Sequence, residues 1–274
     1  MDNKKFKKTI QELLKKYYVP RDKKVSNGKE KIITTYNSLT KHNYSLNEND
    51  TSWGWVPKSI FNADLNSETI GLFGLLVMDA GITPFSGAKR VIINLSAKDL
   101  SNSLGVNHQN LYTRLEKMLQ ELSDNGFLIE NGKYTIINTE TLSEAQNNGG
   151  YIKLYTYAMN EILKKSHGLI ALKRIATYMA LKSEIYEGKN DKKHIIFKKY
   201  QIKYANPRVK QSETVFKRNL DWFIKNGILA WNLVITMNQY HNKQYYVAEK
   251  IHGYDLAMDI ASELNENKLL RVVE

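Results

Sequence analysis

Gln109, Asn110, Thr113 and Lys117 fall at spacings that gather them on one side of a helix, opposite Leu111, Leu115, Met118 and Leu122, and Arg114 joins them as a candidate. Gln and Asn amides can pair with the donor and acceptor on an adenine edge, whereas Lys, Arg and Thr suit guanine edges or phosphate oxygens. A second group follows the same grammar with more charge. Thr214, Lys217 and Arg218, with Lys225 near them, occupy a helix-spaced segment; Lys198, Lys199, Lys203, Arg208 and Lys210 precede it and Lys243 follows. The chemistry on offer is hydrogen bonding and ion pairing with an anionic partner. Both groups are also compatible with an ordinary solvated surface, a reading that carries more weight for the first group than for the second because its surroundings are slightly acidic.

Bond-making chemistry finds little support. No phosphate-cradling G-x-x-x-x-G-K-[ST], no H-E-x-x-H and no G-x-S-x-G occurs, and the Gly-rich "GLFGLL" is apolar with no lysine to meet a phosphate. The histidines, at 42, 108, 167, 194, 241 and 252, lack metal-ligand spacing, and no His-apolar-His pair stands ready to hold a metal beside a tyrosine. Cysteine is absent, which excludes disulfides, zinc-thiolate sites and cysteine nucleophiles. The expectation is a protein without catalytic residues, metal or cofactor. His241, near Lys243, reads as a loop-tip surface histidine.

The net charge of +12 is unevenly spread. Residues 1–41 carry 12 Lys/Arg against 4 Asp/Glu, residues 53–140 carry 7 against 9, and residues 151–250 carry 19 against 7. From Lys189 to Arg218 there are 10 positive residues against Asp191 and Glu213. A Lys-rich genome would raise lysine everywhere, but would not leave the middle of the chain acidic. The split favours an anionic partner touched by particular segments. With 274 residues, 42% hydrophobic content and neither a leader nor an apolar run of bilayer length, the sequence predicts a cytoplasmic globular protein.

The elements that would carry these residues can be read in order. Phe6, Ile10, Leu13, Leu14, Tyr17 and Tyr18 predict a short amphipathic helix stopped by Pro20, and residues 21–50 read as a polar linker. "WGWVPKSIF" predicts an extended piece turning into a helix at Pro57, "NSETIGLFGLLVMDAG" an apolar helix capped by Ser67, and "KRVIINLS" a strand. A capping-box-like Ser96 and Asp99 then open a helix over 97–104 that Gly105 ends; Asn107 caps the helix bearing the first candidate group, and Asn125-Gly126 closes it. Phe127–Ile129 and Tyr134–Ile137 read as strands joined at Asn131-Gly132. That is the grammar of a helix-turn-helix with a hairpin wing, an arrangement that serves DNA binding, dimerisation and protein binding alike.

The second half repeats the phrase. "YIKLYTYAMNEIL" parallels "WGWVPKSIF", and "HGLIALKRIATYMALKSEI" parallels the apolar helix. A turn near Asn206-Pro207 leads to a helix over 212–226, ended by Asn226-Gly227, and then to strands "ILAWNLVITM" and "KQYYVAEK". An offset of 101 superposes Leu115 on Phe216, Leu119 on Leu220, Leu122 on Phe223, Thr113 on Thr214 and Lys117 on Arg218. The expected fold is α+β, mainly helical. Its parts are a basic N-terminal helix and linker over 1–50, a first unit over 51–140, a connector at 141–150, a strongly basic second unit over 151–250 and a C-terminal helix over 251–274.

On these two phrases, "WVPKSIF … IGLFGLLVMD" and "YIKLYTYAMNEIL … LKRIATYMALKSE", residues 53–248 resemble plasmid replication initiators and the related phage replisome-organiser proteins, which carry two winged helices in tandem. The resemblance rests on architecture and phrase. It implies an initiator that binds repeated origin sequences in double-stranded DNA, gripping the major groove with the second winged helix while the first touches DNA or forms a homodimer. Host replication proteins would be further partners. The resemblance does not explain the basic N-terminal arm, which reads as a nonspecific DNA tether or a dimerisation helix. A transcriptional regulator of a plasmid or phage operon, and a winged-helix module that loads other replication proteins, are the alternatives.

Overall fold

Trp53–Pro57 and Tyr151–Tyr155, rich in aromatic and branched side chains, form strands β1 and β6 and pair antiparallel, with Trp55 opposite Lys153 at the centre. The computed structural model describes residues 51–82, 90–139, 141–185, 195–198, 205–236, 243–266 and 270–272. The fold is α+β, mainly helical, with small antiparallel sheets. Two compact units are present. The first takes the described residues from 51 to 184 together with 205–222, and the second takes 185, 195–198 and those from 223 onward.

In the first unit, β1 leads through a 3₁₀ turn (Lys58–Asn62) to helix α1 (Ser67–Asp79), in which Ile70, Leu72, Phe73, Leu75, Leu76 and Val77 are all buried. A helix apolar on every side belongs inside. Its cap is Asn66 rather than the expected Ser67: the Asn66 side chain accepts from the Thr69 amide at 2.9 Å, while Ser67 is itself buried. Strands β2 (Gly81–Ile82) and β3 (Arg90–Ile93) precede helices α2 (Ala97–Ser103) and α3 (Gln109–Asp124). Hairpin β4 (Leu128–Asn131) and β5 (Tyr134–Ile137) completes a sheet of order β2-β3-β5-β4. Asn131 pairs with Tyr134, so the two-residue loop is Gly132-Lys133, one position beyond the expected Asn-Gly, and Gly132 supplies the positive φ of 61°.

The stretch expected to be a plain connector contains a helix. Thr141 and Glu144 form a capping box that starts α4 (Leu142–Asn147), and Gly149 and Gly150, at φ 100° and 94°, release the chain into β6. Helices α5 (Thr156–Lys165) and α6 (Gly168–Glu184) follow. The packing joins what lies on either side of 141–150. β1 pairs with β6, and α1 crosses α6 so closely that a Cβ at Gly71 would stand 2.0 Å from the Leu172 carbonyl oxygen. Residues 71 and 172 are separated by the same offset of 101 that superposes the two halves. The two helices therefore meet at positions that the sequence alignment of the halves makes equivalent.

Residues 205–208 form a single helical turn, and helix α7 (Glu213–Lys225) follows, with the division between the units falling after Trp222. The second unit contains a sheet of order β10-β8-β9-β7, made of β7 (Ile195–Lys198), β8 (Leu229–Thr236), β9 (Lys243–Glu249) and β10 (Leu270–Val272). Helix α8 (Gly253–Glu266) packs on β8 and β9, and Tyr246 Oη donates to Glu263 Oε2 at 3.1 Å. The C-terminal segment thus adds a strand as well as the expected helix. The two sheets share a connection rule: the strand before the helices pairs with the second strand of the hairpin, β3 with β5 and β7 with β9.

Candidate nucleic-acid interface

Leu111, Leu115, Met118 and Leu122 of α3 are buried, which turns Gln109, Asn110, Thr113, Arg114 and Lys117 outward, and all five are exposed. Among the described residues, Arg114 and Lys117 make no ion pair. The helix starts one residue later than expected: His108, not Asn107, caps it by accepting from the Asn110 amide at 3.1 Å, and Asn107 instead accepts from the Tyr112 hydroxyl. The turn before it depends on Gly105 at φ 67°, where a Cβ would lie 2.6 Å from His167 Nδ1; nearby, the Gly168 amide donates to the Leu104 carbonyl at 2.9 Å. This docking of α2 and the turn against the start of α6 leaves an open groove of about 690 Å³ beside Asn110, Thr113 and Arg114, with His108, His167 and the exposed Ile170 on its walls.

Helix α7 shows the same division. Phe216, Leu220 and Phe223 are fully buried, and Thr214, Lys217, Arg218 and Lys225 are exposed. Gly227 takes φ 64°, matching Gly126 at 75°, so the helix stops alike in both halves. What differs is the anchoring. Asn219, on the inner side of α7, donates to Thr177 Oγ1 at 2.8 Å and to Gln211 Oε1 at 3.3 Å. The Gln211 amide donates to Ser67 Oγ at 2.6 Å and to the Lys173 carbonyl at 3.0 Å. Ser67, Thr177, Gln211 and Asn219 are all buried, so α1, α6, the turn and α7 are tied by one water-excluded polar network. The turn itself is held by Gln211 and Lys210 amides donating to the Asn206 and Pro207 carbonyls, with Lys210 at φ 48°.

The basic residues before α7 are not equivalent. Arg208 pairs with Glu184 at 2.6 Å and lies 5.9 Å from the centre of the Phe61 ring; Lys210 pairs with Asp64. Both carry an internal partner, the Lys210 pair being exposed and cheap to open. Lys198 ends β7 and Lys243 begins β9. Lys199, Lys203 and His241 lie outside the described residues, as does the N-terminal arm. One further basic residue belongs to this surface, although its sequence context does not mark it. Arg174 of α6 stacks on Trp222 of α7, its guanidinium carbon 3.8 Å from the ring centroid, and donates from Nη1 to the Ser166 hydroxyl. Burial, and then the charge of Arg218, lower its pKa. Its only signal in the sequence is a Lys-Arg pair inside the apolar first two-thirds of that helix.

The arrangement offers two outward helix faces of hydrogen-bonding and cationic side chains, each set on a buried stripe. Among the described residues no cluster of His, Asp and Glu is arranged to hold a metal ion, and no helix is long and apolar enough to cross a membrane. No family model, no curated protein and no solved structure matches the chain.

Proposed function

We propose that the chain is a sequence-specific double-stranded DNA-binding protein whose two halves are winged helix-turn-helix units, with α3 and α7 as the recognition helices and the β4-β5 and β8-β9 hairpins as wings. Within that class, it acts as a replication initiator of a plasmid or another mobile element. The observation that carries the reading is the outer face of α7, where Thr214, Lys217 and Arg218 stand exposed on a helix whose inner side is fixed by Phe216, Leu220, Phe223 and a buried polar network. Binding, rather than bond-making, is the mechanism. Lys and Arg side chains release counterions from phosphates, and the helix faces read base edges in the major groove.

The face of α3, set in a slightly acidic stretch, suits a supporting role, either a lighter DNA contact or a homodimer contact, and host replication proteins are further partners of an initiator in the cytoplasm. Footprinting the purified chain on the DNA flanking its own gene tests the reading. Protection of a set of direct repeats is expected. Protection of a promoter inverted repeat would replace the initiator with a regulator, and the absence of any footprint at low salt would contradict DNA binding.

A further inference from the structure

We propose that Arg174 and Arg218 form a two-guanidinium clamp for a single backbone phosphate of bound DNA, with Trp222 and Ser166 setting the plane of Arg174. The inference rests on the reading of α7 as the helix that docks on DNA, and it adds a residue from a different helix to that surface. Arg218 and Trp222 are four residues apart on α7 and so share one side of it. Arg174, reaching across from α6, stacks on the Trp222 ring at 3.8 Å and feels the charge of Arg218, one turn before Trp222 on α7.

Three observations argue that the pair is waiting for an anion. Among the described residues neither guanidinium has a carboxylate partner, whereas Arg208 and Lys210 close by in sequence both have one. Arg174 Nε is buried with no acceptor, so the group is incompletely satisfied as it stands. The charge of Arg218 acts unfavourably on Arg174. An anion placed between two like charges converts that repulsion into attraction, and a guanidinium held flat by a ring and a hydroxyl presents its remaining Nη N–H groups as a ready fork for phosphate oxygens. Lysine would not serve: an ammonium has neither the flat face to stack nor the paired donors.

The test uses the full chain and a fluorescein-labelled duplex of mixed sequence, of about 30 base pairs, with anisotropy read between about 50 and 200 mM salt. Arg174→Gln and Arg218→Gln are each expected to weaken binding about 10-fold, and the double variant about 20-fold rather than 100-fold, because the second change removes a contact already lost. The slope of log affinity against log salt should fall by about 0.9 in the double variant, the value for one phosphate. A 100-fold loss with twice that slope change would mean two separate phosphates and overturn the clamp. So would an Arg174→Gln protein that melts earlier but binds with the wild-type slope. Arg218 is exposed, so its variant stays informative if Arg174→Gln fails to fold: an unchanged slope in Arg218→Gln is a third contrary outcome. Adding millimolar inorganic phosphate at constant ionic strength should leave binding unchanged. Displacement of DNA from the wild type but not from Arg174→Gln would make this a free-phosphate site and overturn the proposal. A wild-type chain with no salt-dependent binding would fail the reading of α7 itself, and the clamp with it.

Discussion

Helices α3 and α7 bury the same pattern and differ in almost everything around it. In α3 the buried residues are all apolar, the half-buried Glu121 beside them accepts from Thr69 Oγ1 of α1 at 2.6 Å, its cap is a histidine, and its outer side faces an open groove in a slightly acidic stretch. In α7 the apolar stripe is joined by Asn219, which enters a buried network with Thr177, Gln211 and Ser67, and by Trp222, which is covered by Arg174. An apolar stripe fixes which side of a helix points inward but tolerates rotation and sliding, whereas hydrogen bonds of fixed geometry admit one setting. Helix α7 is held by several such bonds among fully buried groups, whereas α3 has them through the half-buried Glu121.

The comparison can be tested where the two halves meet. Gly71→Ala places a methyl group against the Leu172 backbone, which cannot retreat as a side chain would, so a loss of about 4 kcal/mol or more is expected, or failure to fold. Chemical denaturation measures it; a wild-type midpoint would show that the halves do not depend on the crossing of α1 and α6. A smaller effect separates the two anchors. Gln211→Ala leaves Asn219, Thr177 and Ser67 short of partners and should cost about 2–4 kcal/mol. His108→Ala in the first half removes one exposed cap, worth about 1 kcal/mol. Equal costs by calorimetry would erase the difference between the anchors.

The smallest effect concerns the junction. Glu144 accepts from the Thr141 amide at 2.7 Å and from its hydroxyl at 3.0 Å, and these bonds hold its carboxyl below the usual glutamate range. A lowered folded pKa stabilises α4 above the unfolded value of about 4.3, and that contribution disappears as pH falls through the lowered folded value. An NMR titration should give Glu144 a midpoint below that of a free glutamate, and Thr141→Ala should raise it towards the ordinary range. A wild-type midpoint at the ordinary value would mean that the capping box does not persist in solution.

The sequence showed the stripes plainly. Leu111, Leu115, Met118 and Leu122, and then Phe216, Leu220 and Phe223, are buried as their spacing requires, and Gly105, Gly126 and Gly227 take the left-handed backbone that their positions suggested. Caps and turns were legible only to within a residue, since neighbouring Asn, Ser and His side chains compete for the same amides: Asn66 displaces Ser67, and His108 displaces Asn107. The long-range features were illegible. Nothing local announces that Gln211 will meet Ser67, 144 residues away, or that Arg208 and Lys210 will find Glu184 and Asp64. Arg174 was hidden because a basic residue in an apolar helix reads as a solvated edge until its neighbour across the interface is known.

The central claim is that the face of α7, in the strongly basic half, and not the face of α3, in the slightly acidic stretch, is what holds DNA in the proposed function. A mobility-shift series on one duplex, comparing Lys217→Ala/Arg218→Ala with Gln109→Ala/Lys117→Ala, tests it most directly. The α7 pair should lose at least about 10-fold in affinity and the α3 pair only a few-fold. A greater loss from the α3 pair, or wild-type binding by the α7 pair, would contradict it.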